Sequence, residues 1–370
     1  MRPSCGRGKN RVLAVTGSSG GHIFPALSLL DSLKDGAPEI ETLLVLPQGS
    51  IRDRIGDLEC PLRYVSFSPI KLSLGLGNIM SILKFFKGVA EELWALLKFR
   101  PAVVVGFGGM ASVPLILLAR AGGRNTLIHE QNVIPGRANR LLALFSNRIA
   151  LSFGATADYL KCYEKKIIIT GNPLRREMAP VDKVKARDYF ALSQDKFTLL
   201  VSGGSQGSHS LNSGFLKIVP SLARKHRIQV IHLSGNKDYG AVREQYRQSA
   251  VEARVYAFSN AMQYAYSAAD LIISRAGATT IAELMLFKIP ALLVPYPYAY
   301  SHQAANAWVL SERGCAFIID DAAFARGEGS SILGGILNNS SELERMRRNY
   351  QGLNACGAAA RLREAILELI

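Results

Sequence analysis

Cysteine is scarce in this 370-residue chain: Cys5, Cys60, Cys162, Cys315 and Cys356 are odd in number, scattered, and form no CxxC pair. That argues against a disulfide framework or a thiolate zinc site and fits a reducing compartment. Acidic residues are also few, 29 Asp+Glu against 44 Lys+Arg, leaving a formal net charge of +15. So basic a chain favours an anionic partner, whether nucleic acid, an acidic membrane surface or a phosphorylated substrate. Long apolar runs are missing too. The best stretch, 103–119, is broken by Gly106, Gly108, Gly109 and Pro114 and falls short of the ~20 residues that span a bilayer. The opening residues are basic and polar with no apolar segment behind them, so neither a signal peptide nor a transmembrane helix is expected.

Several nucleotide signatures are absent. No GxxxxGK[ST] occurs, which disfavours P-loop hydrolysis of ATP or GTP. No GxGxxG occurs, and the second strand pattern ends Leu46-Pro47-Gln48 without the acidic residue a dinucleotide site offers its ribose. No DxD stands where it could hold a metal-nucleotide, since Asp320-Asp321 is adjacent rather than spaced. Neither a DNA-recognition motif nor an aromatic-basic RNA signature accompanies the charge, so nucleic acid is the weakest of the three partners.

What is present is alternation. Apolar content of 48% with 20% charge is globular composition, and the length suggests two domains. Strand-like runs at Val12–Val15, Thr42–Leu46, Ala102–Gly106, Leu127–Ile128 and Arg148–Ser152 are separated by helical patterns. After Gly171-Asn172-Pro173 the pattern restarts at Phe197–Ser202, Gln229–Leu233, Arg254–Ala257, Leu271–Ser274, Ala291–Val294 and Ala316–Ile319. This predicts an α/β chain of two tandem Rossmann-like domains facing across a cleft. Their bounds are 1–173 and 174–347, followed by a helical segment, 348–370, whose docking site is not readable.

Four glycine-bearing turns follow strand patterns: Thr16 to His22, Gly106 to Gly109, Ser202 to Gly207, and Ser274 to Thr280, the last leading into a helix with Glu283. Glycine lets the backbone approach a ligand, and the N–H groups of a following helix start favour phosphate. Each turn alone could be a tight βα connection.

Read in order, Ser18-Ser19-Gly20-Gly21-His22-Ile23-Phe24-Pro25, Gly106-Phe107-Gly108-Gly109, His129-Glu130-Gln131-Asn132, Gly171-Asn172-Pro173-Leu174-Arg175, Gly203-Gly204-Ser205-Gln206-Gly207, Ser274 to Glu283, and His302-Gln303 with Asn306 closely resemble the MurG-type transferases of glycosyltransferase family 28. The resemblance covers about residues 12–320. It implies a GT-B fold and inverting transfer of GlcNAc from UDP-GlcNAc to the C4 hydroxyl of undecaprenyl-pyrophosphoryl-MurNAc-pentapeptide, lipid I to lipid II, in peptidoglycan synthesis. It also implies a peripheral position on the cytoplasmic face of the inner membrane. The implied partners are UDP-GlcNAc, the lipid-linked acceptor, an anionic membrane surface and other cell-wall enzymes, with no cofactor and no essential metal. Two alternatives stay open: a related UDP-sugar transferase acting on another lipid acceptor, and a non-catalytic sugar-nucleotide-binding protein.

Such a reaction needs a base beside the acceptor, and N–H donors or positive charge beside the departing diphosphate. On the matched positions, the resemblance gives Arg175, Ser205 and Gln206 the diphosphate side, while Ser19, Gly20 and Gly21 lie against the diphosphate and donor sugar. His22, whose imidazole ordinarily titrates near 6.5, has three open roles: base, positioner or helix cap. Glu283 would accept both ribose hydroxyls. Ala278, Thr279, Thr280, Ile281 and Ala282 would surround uracil and ribose with their backbone, and Ser259 would present main-chain groups to the base. Asn132 would reach the donor sugar, with His129 and Glu130 shaping its loop. Gln303 would bind GlcNAc hydroxyls, donating and accepting at once. The sequence departs from the family pattern at Met110, at Ser259-Asn260-Ala261, at Ser208-His209 and at His302, and these touch acceptor recognition more than donor chemistry.

A membrane-facing region is expected between the second and third strand patterns. Leu72, Leu74 and Leu76 precede a helix over about 78–98. At 100° per residue, Ile79, Ile82, Leu83, Phe86, Ala90, Leu93, Trp94 and Leu97 form the face expected to pack on the sheet. Leu72, Leu74, Leu76 and Phe85 are then expected in the headgroup boundary, with Lys84 and Lys87 meeting anionic lipid. The alternative is a buried helix with a solvated lysine face. Residues 1–173 carry 21 Lys+Arg against 12 Asp+Glu, the larger share of the net charge.

Overall fold

The structure, a computed structural model, describes residues 10–49, 60–67, 76–297, 302–353 and 356–370. The chain forms two compact units, one reaching to Arg175 and including Gly357–Ile370, the other spanning Arg176–Cys356.

In the first unit the order is β1 (Arg11–Val15), α1 (Gly20–Gly36), β2 (Glu41–Pro47), β3 (Leu62–Val65), α2 (Leu76–Phe99), β4 (Val103–Gly106), α3 (Val113–Ala121), β5 (Asn125–Glu130), α4 (Arg137–Phe145), β6 (Arg148–Leu151) and β7 (Ile167–Ile169). The strands form one sheet, β3-β2-β1-β4-β5-β6-β7, with parallel pairing throughout. Both faces are covered, so Val12–Val15 of β1 and Val103–Val105 of β4 are apolar and buried at consecutive positions rather than at alternate ones. In β1, Val12 and Ala14 pack with Ile23, Leu29 and Leu33 of α1, while Leu13 and Val15 join Leu96, Leu115, Ile116 and Leu142 on the opposite face.

In the second unit the order is α5 (Lys183–Tyr189), β8 (Phe197–Ser202), α6 (His209–Lys225), β9 (Ile228–Leu233), α7 (Tyr239–Arg247), β10 (Ala253–Tyr256), α8 (Met262–Ala268), β11 (Leu271–Ser274), α9 (Ala278–Phe287), β12 (Ala291–Leu293), α10 (His302–Ser311), β13 (Ala316–Ile318), α11 (Asp321–Arg326), α12 (Gly329–Leu337) and α13 (Ser340–Arg348). Its sheet, β10-β9-β8-β11-β12-β13, is again parallel. Both sheets therefore show the Rossmann order, reversing direction beside their first strand.

The strand patterns read from sequence all form strands, and two more appear, β3 and β7. These are the edge strands of the first sheet; they are four and three residues long and only partly buried, with Ile169 exposed. Short edge strands carry little period to read. The C-terminal segment also resolves. Residues up to Cys356 stay with the second unit, whereas α14 (Ala358–Leu367) packs beside α1 and buries Leu362 and Ile366 in the first unit's core. Cys60, Cys162, Cys315 and Cys356 are reduced, with no disulfide among the described residues.

Candidate functional site

The four glycine turns stand at the two switch points. In open parallel sheets, ligands bind outside the strand carboxyl ends where strand order reverses. In the first unit that place lies between β1 and β4, where the turns following both strands meet. A Cβ on Gly109 would come 2.7 Å from the Gly17 Cα, so the two turns touch backbone to backbone, and Gly108 and Gly109 take φ of +85° and +82°. Only glycine satisfies both demands.

His22 is gripped by these turns. A Cβ on Gly17 would lie 2.6 Å from its Nδ1, and one on Gly108 3.4 Å from its Nε2. The residue keeps part of its surface accessible, while burial of its ring between these glycine turns lowers its pKa to about 4. The expected value near 6.5 is thus corrected: the resting imidazole is neutral. Ser19 is the N-cap residue of α1, yet its side chain makes no capping bond; its Oγ lies 3.2 Å from His22 Nδ1 instead. Gly20 and Gly21 open α1 with first-turn amides that point out of the helix. One turn on, Phe24 carries the Arg175 guanidinium, whose Cζ lies 4.8 Å from the ring centre. Ser19, Gly20, Gly21, His22 and Arg175 therefore gather at the start of α1.

The loop after β5 is organised from inside. Glu130 is buried, and its Oε1 accepts the Asn132 N–H at 2.9 Å, while Oε2 accepts Gly136 N–H at 3.0 Å and Asn139 Nδ2 at 2.8 Å. Buried His129 pairs Nε2 with the Gly171 carbonyl and Nδ1 with Gln131 Nε2, both at 3.1 Å. Since the carbonyl accepts and the amide donates, this fixes the neutral tautomer protonated on Nε2. Burial pulls its pKa down to about 4, against the smaller opposing effect of the Gly171 bond. Gln131 and Asn139, which the sequence reading left without a role, complete the clamp. Its only sequence signal was their position in or just after the HEQN run.

The second unit's switch point lies between β8 and β11. Gly204 O accepts Gly207 N–H at 3.0 Å, holding Ser205 and Gln206 exposed at the tip of a tight turn. Behind that turn lies buried Arg275. It donates to Ser208 Oγ at 2.6 Å and Ser210 Oγ at 2.8 Å, and pairs with Asp321 at 2.7 Å. Ser208 also caps α6. Two oddities of the sequence, Ser208 after the glycine turn and the adjacent Asp320-Asp321, thus belong to one network, and Asp321 serves as a counter-ion. Among the described residues, no group of three His, Cys, Asp or Glu is placed to hold a metal.

Gly277 is the N-cap residue of α9, so Ala278, Thr279 and Thr280 form its open first turn, with Ile281 and Ala282 buried behind them. Glu283 follows, and the Tyr266 hydroxyl donates to its Oε2 at 2.7 Å. Tyr266 was not singled out in the sequence. Ser259 uses its Oγ locally, accepting the Ala261 N–H at 3.1 Å. Gln303 differs from expectation: its Oε1 accepts both Ala276 N–H at 3.1 Å and Tyr296 N–H at 2.9 Å. The carbonyl end is spent on backbone, leaving the side chain to offer a ligand its NH₂ donors. Asn306 holds the Ala276 carbonyl at 3.2 Å, so α10 clamps the turn after β11 from both sides.

The helix expected at the membrane is rotated relative to its prediction. Gly88, Glu92, Ala95 and Leu96 are buried, and Phe85 and Val89 are partly buried on the same side. Leu83, Phe86, Leu93, Trp94 and Leu97, assigned to the sheet side, are exposed, Phe86 and Leu97 by more than 60%. Gly88 sets this orientation, because a Cβ there would lie 1.8 Å from the Ser66 carbonyl. Glu91 accepts the Ser66 N–H at 2.5 Å beside it. Phe85 therefore leaves the predicted patch. Lys84, Lys87 and Lys98 flank the exposed stripe, and Arg63 and Lys98 lie 3.7 and 4.6 Å from the Trp94 ring centre. Leu72 and Leu74 lie outside the described residues, and Leu76 opens α2 with its side chain likewise outside them. Among the described residues, no helix is long and apolar enough to cross a membrane.

Comparison with known proteins matches the glycosyltransferase family 28 N-terminal domain to residues 12–151 and the C-terminal domain of the same family to residues 198–362. The UDP-N-acetylglucosamine–N-acetylmuramyl-(pentapeptide) pyrophosphoryl-undecaprenol N-acetylglucosamine transferase of Halothermothrix orenii is 34% identical over 348 residues, covering 92% of this chain and 93% of that protein. The enzyme of the same name from Thermodesulfovibrio yellowstonii is 36% identical over 314 residues, covering 84% and 85%. Among solved structures, Acinetobacter baumannii MurG is similar with a TM-score of 0.76 at 25% identity, over 97% of this chain and 99% of that one. A calicheamicin glycosyltransferase, with a TM-score of 0.69 at 14% identity over 98% of each chain, shares the fold. Two parallel α/β units of GT-B type, each matched by its own family domain, establish that the chain belongs to glycosyltransferase family 28.

Proposed function

We propose that this enzyme transfers GlcNAc from UDP-GlcNAc to the C4 hydroxyl of the lipid-linked MurNAc-pentapeptide, with inversion at the anomeric carbon. The observation that carries this reading is the second unit's switch point. There a glycine turn, the open start of α9 and the donor face of Gln303 stand together, in a chain 34% identical to a transferase named for this reaction. Glu283 accepts ribose hydroxyls, the backbone of 278–282 and of Ser259 surrounds the nucleoside, and Gln303 donates to GlcNAc oxygens. The Ser205–Gln206 turn serves the diphosphate.

On the first unit, His22 is the group for proton transfer. With Nδ1–H donating to Ser19 Oγ, Nε2 carries the lone pair that takes the acceptor's proton as the new C–O bond forms and the bond to UDP breaks. Arg175 and the amides of Gly20 and Gly21 supply positive potential for the departing diphosphate, and we assign no step to a metal ion. Asn132, held by Glu130, addresses the donor sugar. The enzyme works at the cytoplasmic face of the inner membrane through the exposed stripe of α2, whose apolar side chains and flanking lysines suit an anionic lipid surface.

Incubating the purified protein with UDP-GlcNAc and the lipid-linked muramoyl-pentapeptide, with and without EDTA, tests this. Mass spectrometry is expected to find one added HexNAc in both arms. An unmodified acceptor would overturn the reaction, and loss of product in EDTA restored by magnesium would overturn the metal-free mechanism.

A further inference from the structure

We propose that Tyr266 is a positioning residue for donor selection: it fixes the Glu283 carboxylate so that the enzyme distinguishes a ribonucleoside from a 2′-deoxyribonucleoside diphosphate. The inference rests on the reading of Glu283 as the ribose ligand.

Tyr266 comes from α8 and is only 3% exposed. Its hydroxyl donates to Glu283 Oε2 at 2.7 Å, and its ring lies against Phe287, with centroids 5.1 Å apart and planes 31° apart. Glu283 and Phe287 are four residues apart on α9, hence neighbours on one helix face. One side chain thus spans both: the aromatic contact sets where the ring sits, and the hydroxyl reaches the carboxylate. A glutamate at the sixth position of α9 has left the turn where a helix start favours an anion strongly, so the dipole does little to orient it. The phenol does this instead. With Oε2 held from one side by the phenol, the direction in which the carboxylate meets ligand hydroxyls is set. Its rotamer freedom is lost before the nucleotide arrives rather than on binding, which raises affinity and sharpens direction.

The experiment is calorimetric titration of UDP and of 2′-deoxy-UDP into wild-type protein, Tyr266→Phe, Glu283→Ala and the double variant, with donor kinetics alongside. Tyr266→Phe keeps the ring on Phe287 and removes only the hydroxyl. The wild type is expected to prefer UDP about tenfold, the worth of one hydrogen bond to a charged group. Tyr266→Phe is expected to cut that preference to about threefold or less and raise the donor KM, with kcat within about twofold of wild type. In the Glu283→Ala background it is expected to add nothing. Placing 3-fluorotyrosine at 266, which keeps the hydroxyl and makes it a better donor, is expected to hold the preference at or above the wild-type level.

A Tyr266→Phe protein that weakens both nucleotides equally, or keeps the full preference, overturns the proposal. So does loss of the preference in the fluorotyrosine protein. Should Glu283→Ala itself keep the preference, the ribose reading fails, and that outcome is separate from any result at Tyr266.

Discussion

With a pKa near 4, His22 is uncharged at neutral pH and gains a proton only as the acceptor hydroxyl loses it. A base this weak acts late, on a proton already acidified by bond formation to the anomeric carbon. Replacing His22 by Ala is expected to lower kcat roughly 10²–10⁴-fold, while the donor KM stays near the wild-type value. The wild-type kcat/KM profile is expected to lack a His22-dependent acid limb near 6.5. A limb at that pH that vanishes in His22→Ala would show that the ring is not held neutral. Gln303 gives a second residue-scale prediction. Gln303→Glu keeps an acceptor for the Ala276 and Tyr296 amides but replaces the NH₂ donors with an oxygen. The KM for UDP-GlcNAc is expected to rise about tenfold, the worth of a hydrogen bond, with calorimetric affinity for UDP alone unchanged.

At the scale of elements, α2 separates apolar surface used for folding from apolar surface left for something else. Periodicity located the helix and its width but placed the wrong face against the sheet. The reason is physical: close approach to the Ser66 carbonyl demands Gly88, and Ala95 lies on the same side, so the packed face is built from smaller residues than the free one. Hydrophobicity therefore pointed outward. Phe86→Asp with Leu97→Asp is expected to abolish flotation with anionic vesicles while leaving the thermal midpoint within a degree or two, since both side chains are largely exposed. Gly88→Ala is expected to cost about 1–3 kcal/mol in urea unfolding, as overpacking does. A neutral result would mean that α2 can move off β3.

The turns were more legible than the helix because glycine and polar runs mark them directly. Gly17, Gly108, Gly109 and Gly207 all announce their backbone demands in sequence. The side chains behind those turns did not. Arg275 and Asp321 meet across 46 positions of sequence, and Tyr266 reaches Glu283 from a separate helix. Such pairings exist only once the sheet order is set, and no local spacing encodes them.

Across the whole molecule, burial of titratable groups sets the pH range of stability. His22, His129 and His232 are held neutral, with pKa values of about 4, 4 and 3, all lowered by burial. Unfolded, each titrates near 6.5. As pH falls from 6.5 toward 3 the unfolded chain takes up these protons first, so stability is lost over that window. Glu92 acts oppositely: burial and neighbouring Glu91 raise it to about 8. Between about 4.5 and 8 the folded state keeps a proton that the unfolded chain has released, so this contribution is lost progressively as pH rises across that window. Three groups against one makes the acid side steeper. The urea midpoint is expected to peak between pH 6 and 7 and to fall clearly by pH 5; a midpoint constant from pH 7 to 5 would contradict the burial of these rings.

The return of α14 to the first unit also dictates an order of events during synthesis. Leu362 and Ile366 complete the apolar surface of α1 and the first sheet, yet the ribosome makes them after the entire second unit. At about 5–20 residues per second, the first unit waits on the order of 10–40 s for its final helix, holding an apolar groove open while the second unit is made and folds. A nascent chain stalled before Gly357 is thus a natural client for a holdase chaperone, and release of the last residues is the step that ends its dependence.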